Sequence, residues 1–365
     1  MNDSTAAHDI QFMRRALDLA REGWGQTAPN PMVGAVVVRA GRIVGEGFHA
    51  RFGESHAEAN ALRVAGELAR GATMYVTLEP CRHHGKTPPC TDAIIKAGLE
   101  RVVIAVLDPT EYAGGGAAVL HDAKIDVEIG LLEAEARELN APFLMAATSD
   151  LPWTTLKLAV SIETAIADEA GTTTWLTGSA ARSEAHHLRA GSDAVAVGVG
   201  TILADDPQLT VRDARQPRKP PARVVFDRSL RTPTHSKIVF SARQIPTIIV
   251  TKDATSATAD TMREAGVHLI AATDLPEGFR RLYAAGIRSL MVEGGATIAS
   301  AVLAEGLVDR LVIFQAPVAL GPNALHAFNG APPEVLGALE SYPVLERRQL
   351  GPDVMTAFAV SQRNS

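Results

Sequence analysis

Apolar residues recur at helical spacing near the start of the chain. Ile10, Met13, Ala16, Leu17 and Ala20 would line one side of a helix over His8–Ala20. A Pro29-Asn30-Pro31 break follows, then the apolar run Val33–Val38, read as a strand, and a turn at Gly41. The pattern next predicts a helix over Glu54–Ala69, a strand over Thr73–Leu78, a helix over Cys90–Ala97 and a strand over Val102–Leu107. Pro142 and Pro152 bracket a connector, after which the alternation restarts. Strands are predicted at Trp153–Val160, Asp193–Gly200, Ala222–Asp227, Pro246–Val250, Arg288–Gly294 and Asp309–Phe314, with a helix near Ala180–Ala190. The Arg/Lys/Pro-rich stretch Arg212–Pro221 reads as a surface loop. Short apolar strands alternating with helices predict two α/β domains, residues 1–147 and 151–365.

The length of 365 residues suits two domains of roughly 150 to 200 residues each. With 46% hydrophobic and 21% charged residues, the chain is not a mainly disordered one. No apolar run approaches the ~18 residues that a membrane span needs. The N-terminus MNDSTAAHDI lacks the basic start and apolar stretch of a signal peptide. The expected compartment is therefore the cytoplasm. A net charge of −6 without a long Lys/Arg block argues against nucleic acid as a partner. A symmetric homo-oligomer is expected on general grounds.

Cysteine usage sharpens this picture. The two cysteines, Cys81 and Cys90, lie in EPCRHHGKTPPC, downstream of the triplet His56-Ala57-Glu58. One imidazole and two thiolates give zinc three protein ligands and leave a fourth position for water, the layout of a catalytic site. His56 and Cys90 are each placed at a helix start, where unpaired N–H groups stabilise a thiolate. Glu58 is then the proton carrier to and from the water, whose pKa zinc lowers to around 7. Taken singly, the cysteines read as buried hydrophobes and His56 as a surface residue. Their combination is the signature that zinc-dependent nucleobase deaminases carry. Those acting on nucleic acid typically place two residues between the cysteines, whereas eight stand here, including His83, His84 and Lys86. His83 and Lys86 suit a phosphate or an extra ring substituent on a small substrate.

The runs TAPNPMVGAVVV, GEGFHARFGESHAEANAL, ARGATMYVTLEPCRHHGKTPPCTDAI and AGLERVVIAVLDP resemble the deaminase half of the bifunctional riboflavin-biosynthesis deaminase/reductase family, over nearly all of residues 8–147. The resemblance implies a cytidine-deaminase-like α/β/α sandwich, with zinc on His56, Cys81 and Cys90 and with Glu58 carrying the proton. It also implies substrate contacts at Asn30, His83 and Lys86. Without that family context Asn30 shapes its turn and Lys86 is a solvated charge.

The second half carries a glycine-ended strand twice, Val197–Thr201 (VGVGT) and Val292–Thr297 (VEGGAT). Such glycines suit a dinucleotide pyrophosphate or a tight strand-to-helix turn equally well. The runs WTTLKLAVSI, TWLTGSAARSEAHHLRAGSDAVAVGVGTILADDPQLTVR and LMVEGGATIASAVLAEGLVDRL resemble the reductase half of the same family. That resemblance covers most of residues 151–365 and is weakest over Arg212–Ile287. It implies a dihydrofolate-reductase-like α/β fold that uses NADPH. Cofactor contacts then fall on Ala159, Trp175, Thr201, Asp205 and the turn beginning at Gly295. Substrate contacts fall on Thr173, Arg189, Leu209, Arg212 and Glu293, with Arg189 and Arg212 matching a ribose phosphate. Lys157 and Asp205 are the candidates for a general acid.

Together the two resemblances imply a two-step enzyme. Its first half would hydrolytically deaminate a diaminopyrimidinone ribosylamine 5′-phosphate, and its second would reduce the ribosyl group to ribityl with NADPH. The competing reading keeps the deaminase and makes the second half a degenerate nucleotide-binding domain. Two departures from the family pattern bear on substrate binding. Where the family has Asp-Pro-Asn and Ala-Gly-Arg-Gly, this chain has Asp108-Pro109-Thr110 and Ala113-Gly114-Gly115-Gly116. Where it has Ser-Leu-Asp-Gly, this chain has Ser161-Ile162-Glu163-Thr164. A β-branched Thr disfavours the left-handed backbone that Gly adopts, so that turn is expected to be reshaped or unstrained.

Overall fold

The computed structural model describes residues 3–85, 88–169 and 176–360. Lys86, Thr173 and Trp175 lie outside the described residues. The chain divides into two compact units, Met1–Thr148 and Ser149–Ser365.

In the first unit, α1 (Asp3–Arg21) precedes the hairpin of β1 (Gly34–Arg39) and β2 (Arg42–Phe48). Next come α2 (Ala57–Ala65), β3 (Thr73–Val76), α3 (Cys90–Ala97), β4 (Arg101–Ile104) and α4 (Gly116–Asp122). The unit ends with β5 (Asp126–Ile129), α5 (Glu133–Leu139) and α6 (Ala141–Ala146). The sheet order is β2-β1-β3-β4-β5, antiparallel around β1 and parallel from β3 to β5. Alternation along β1 explains the layers. Ala35 and Val37 pack with Ala57, Ala61 and Ile94 of α2 and α3, while Val36 and Val38 pack with Met13 and Leu17 of α1. Each fully buried Val, Leu or Ile contributes about 1.5–3 kcal/mol to holding those layers.

The second unit runs β6 (Trp153–Val160), β7 (Ala165–Ala167), α7 (Ser179–Ala190), β8 (Ala194–Gly198), α8 (Val199–Asp205) and β9 (Ala222–Phe226). It continues with α9 (Lys237–Phe240), β10 (Thr247–Thr251), α10 (Ala257–Glu264), β11 (His268–Ala271), α11 (Leu275–Ala284) and β12 (Ser289–Glu293). Then follow α12 (Ala296–Ala304), β13 (Arg310–Gln315), β14 (Leu325–His326), α13 (Pro333–Ala338), β15 (Val344–Leu350) and β16 (Asp353–Ala359). The main sheet has the order β11-β10-β9-β8-β12-β6-β13-β16-β15. It is parallel from β11 to β13 and antiparallel beyond. One face packs on α11 and α12 through Phe279, Ala299 and Val302. The other packs on α8, α9 and α10 through Ile202, Ile238 and Met262.

Three expectations are adjusted. The helix predicted from Glu54 begins at Ala57, with His56 as its N-cap in extended backbone (φ −72, ψ 162). The run predicted as one strand over Asp193–Gly200 turns at Gly198 into α8. The third concerns Ser161–Thr164, where a residue with a Cβ takes the backbone that favours glycine. Thr164 takes φ +67, the left-handed region, at a cost of roughly 1–2 kcal/mol for a residue with a Cβ. Its hold is Glu163, whose Oε1 accepts from Leu320 N and Gly321 N, with Ala327 N donating to Thr164 O at 2.9 Å. Among the described residues, no helix is long and apolar enough to cross a membrane.

Candidate active sites

The deaminase-side cluster is built by one close packing contact and two turns. A Cβ on Gly45 would lie 2.3 Å from Ala61 O, and one on Gly47 would lie 2.4 Å from Ala57 O. The alternate glycines of β2 therefore let the backbone of α2 rest on the strand, which fixes the start of the helix. His56 and Glu58 stand at that start. Cys81 follows β3 through Pro80, and Cys90 is the first residue of α3. His56 Nδ1 lies 3.5 Å from Cys81 Sγ and 3.4 Å from Cys90 Sγ, and the three ligand atoms lie within 4.8 Å of one another. The hydrogen bond between the thiols, with His56 beside them, pulls Cys81 down to about 4 and pushes Cys90 up. Both thiols must lose their protons to bind a metal, and a soft N/S₂ donor set fits zinc. Glu58 is 3% exposed, and burial raises its carboxyl above the usual range, as a group that must pick up a proton requires.

Asn30 reaches this cluster through a residue that the sequence did not single out. His49 Nδ1 lies 3.2 Å from Ser55 O, so it carries the proton, and Nε2 accepts from Asn30 Nδ2 at 3.2 Å. The His49 ring meets His56 edge-on at 5.5 Å. His83 is likewise partnered, its ring centroid 3.7 Å from that of Tyr112. Thr110 does not offer a free hydroxyl. Its Oγ1 donates to Asp108 Oδ1 at 2.6 Å and accepts from Ala113 N at 3.3 Å, so it closes its own turn.

In the second unit the parallel register sets Lys157 of β6 beside Glu293 of β12. Arg189 grips Glu293 with Nε to Oε1 at 2.5 Å and Nη2 to Oε2 at 2.9 Å, and its Nη1 donates to Thr210 O at 2.9 Å. Lys157 Nζ lies 3.6 Å from Glu293 Oε2. Burial alone would raise Glu293, but Arg189 and Lys157 outweigh it and hold the carboxyl at about 2. Burial pushes Lys157 down. The fork that the sequence offers to a phosphate is thus closed on Glu293, and Arg212, exposed and 3.3 Å from Gln208 Oε1, is the more open cation. Arg212 N in turn donates to Nδ1 of the buried His186, a second residue not foreseen. The Leu209 side chain is buried in the core, with its backbone at φ +54, so only its main chain is left to face a ligand.

Of the residues expected to contact a cofactor, Thr201 and Gly295 stand where the glycine turns meet. β8 and β12 are neighbours, and Thr201 Oγ1 lies 3.5 Å from where a Cβ on Gly294 would stand. A Cβ on Gly200 or Gly295 would meet nothing within 4 Å. The backbone there is open to close approach by a pyrophosphate, and Gly295 caps α12. Ala159 sits two residues beyond Lys157 on the same face of β6. Asp205 ends α8, one turn past Thr201, with its side chain exposed. Farther along the sheet, at the C-terminal ends of β9, β10 and β11, lies a cavity of about 350 Å³. Asp227, Arg228 and Lys252 line it, and Asp227 Oδ1 is buried without a hydrogen-bond partner among the described residues.

Residues 6–106 match the cytidine and deoxycytidylate deaminase zinc-binding region, and residues 152–352 match the RibD C-terminal domain. The riboflavin biosynthesis protein RibD of Escherichia coli is 42% identical over 364 residues, covering 95% of this chain and 98% of that one. This chain belongs to the RibD family. The RibD of Aquifex aeolicus is 44% identical over 316 residues, 86% of this chain and 88% of that one. A solved diaminohydroxyphosphoribosylaminopyrimidine deaminase/5-amino-6-(5-phosphoribosylamino)uracil reductase from Thermotoga maritima superposes with a TM-score of 0.85 at 34% identity, covering 98% of this chain and all of that one. As a RibD-family protein, the chain is a bifunctional deaminase and reductase of riboflavin biosynthesis. Zinc and NADPH are the cofactors of its two halves.

Proposed function

We propose that the first unit removes one amino group, as ammonia, from 2,5-diamino-6-ribosylamino-4(3H)-pyrimidinone 5′-phosphate, and that the second reduces the ribosyl group of the product to ribityl. The observation that carries the first half is the convergence of His56, Cys81 and Cys90 beside the buried Glu58. Zinc bound by those three residues supplies a Lewis acid that makes water reactive at neutral pH. Glu58 takes a proton from the water and returns it to the departing amine. Asn30, oriented by His49, and His83, packed against Tyr112, hold the pyrimidine. Lys86, which stands between the zinc thiolates in sequence, contributes a cation for the phosphate.

In the second unit NADPH supplies the hydride. Ala159, Thr201, Asp205 and the Gly295 turn hold the cofactor, with Trp175, and its adenosine phosphate end extends toward the cavity at Arg228 and Lys252. Glu293, Arg189, Leu209, Arg212 and Thr173 form the substrate side. Lys157, partly buried against Glu293, stands as the proton donor to the opened sugar. The same reading places the enzyme in the cytoplasm, where both thiols stay free for zinc. There it acts as a homo-oligomer on a small phosphorylated pyrimidine. Glu58→Gln tests the first half. Ammonia release should collapse while NADPH oxidation with the deaminated intermediate persists; undiminished ammonia release would remove Glu58 from the chemistry.

A further inference from the structure

Glu79 stands two residues before Cys81 and is 6% exposed. Its carboxylate gathers backbone N–H groups from a single distant loop. Oε2 accepts from Asp108 N at 3.1 Å, and Oε1 accepts from Gly115 N at 3.1 Å and Ala117 N at 2.8 Å. Glu79 N donates to Val106 O at 2.9 Å, which closes the grip at the end of β4.

That loop lies against the segment that joins the two thiolates. Gly116 sits so close to the cysteine turn that a Cβ on it would fall 1.8 Å from Pro80 O. Arg82 Nη2 donates to Glu111 O at 3.3 Å, and a Cβ on Gly115 would lie 3.2 Å from Arg82 Nε. Tyr112 of the same loop lies against His83, ring centroids 3.7 Å apart at a tilt of 37°. The loop is therefore clamped from inside by Glu79 and covered from outside by Arg82, with its aromatic ring set over a residue between the zinc ligands.

We infer that Glu79 is a positioning residue for deamination, its carboxylate fixing residues 108–117 as the wall of the substrate pocket beside His56, Cys81 and Cys90. A carboxylate suits this task because it offers acceptors only, enough for three N–H donors at once. Glutamine at the same position turns one acceptor into a donor that faces an N–H group. The wall then loosens while the metal ligands stay in place. The inference rests on the deaminase reading of this site, which ammonia release by the unaltered enzyme tests separately.

The test uses the full-length zinc-loaded enzyme and Glu79→Gln. A second variant, Ala117→Pro, deletes one donor from the loop side at the first turn of α4, where proline is accepted. In both variants KM for the deaminase substrate should rise about tenfold or more, as expected for loss of a hydrogen bond to a charged group. The kcat, the zinc content and NADPH oxidation with the deaminated intermediate should stay close to the unaltered values. An unchanged KM in both variants overturns the inference. So does loss of zinc with Glu79→Gln, which would assign the residue to the metal ligands instead of the wall. Should Glu79→Gln yield no folded enzyme, Ala117→Pro decides by the same KM.

Discussion

Arg189 holds Glu293 through both arms of its guanidinium, 104 residues apart in sequence and joined at the end of β12. With Lys157 alongside, one buried carboxylate balances two partly buried cations. Glu293→Gln removes the balance and leaves both cations uncompensated, a loss of about 3–5 kcal/mol. For a unit of this size the melting temperature of the reductase half should drop by roughly 10 °C. Thermal unfolding followed calorimetrically checks it, and a drop of only a degree or two would mean that the pair is worth little.

The same carboxylate predicts a pH dependence. Its folded-state pKa of about 2 lies below the ordinary 4.5. Its contribution to stability is therefore complete above about pH 4.5 and is lost as pH falls toward 2. Acid unfolding of the second unit should be steeper in the unaltered enzyme than in Glu293→Gln, measured as unfolding free energy against pH. Parallel profiles would contradict the assignment.

Glu58→Gln should lower deaminase kcat by about a hundredfold to ten-thousandfold, the span of general acid–base catalysis. Zinc content should not change, because Glu58 is not among the three clustered ligand atoms. Metal analysis alongside ammonia release separates a lost proton carrier from a lost metal.

Cys90→Ser should empty the metal site and abolish ammonia release. NADPH oxidation with the deaminated intermediate should survive, since the family match for the reductase begins at residue 152. Loss of both activities would point to a structural role for the metal reaching beyond the first unit.

Thr164→Gly should stabilise the second unit by about 0.5–1 kcal/mol, the relief of a left-handed backbone offset by the entropy of glycine. Thr164→Ala should bring no such gain, because Ala keeps the Cβ. Equal melting temperatures for the two variants would mean that φ +67 carries no strain there.

How far the sequence could be read depends on the range of each contact. The meeting of His56, Cys81 and Cys90 was legible because each stands at the edge of an element that the local pattern shows, His56 and Cys90 at helix starts and Cys81 after a strand. Strands with a continuous apolar run, such as β1 and β8, were legible for the same reason. β2 was missed because Gly45 and Gly47 serve the approach of α2 and leave no apolar alternation. β15, VLERRQL, was missed because it is an exposed polar edge. His49 gave no local signal, since its value comes from Asn30 and Ser55 meeting it in space. Arg189 and Glu293 were each read as substrate contacts, but nothing in a linear sequence announces that one would clasp the other. The strain at Thr164 was likewise hidden, because a turn's backbone angles depend on partners such as Leu320 and Ala327.

The central claim is that both halves of this RibD-family chain act in sequence on one small substrate. The most direct measurement supplies the diaminopyrimidine ribosylamine 5′-phosphate and NADPH to the zinc-loaded enzyme and follows ammonia and cofactor absorbance together. The account predicts one NADPH oxidised for each ammonia released, after a lag as the deaminated intermediate builds up. Steady ammonia release with no loss of NADPH absorbance would contradict it and leave the second unit a nucleotide-binding domain without reductase chemistry.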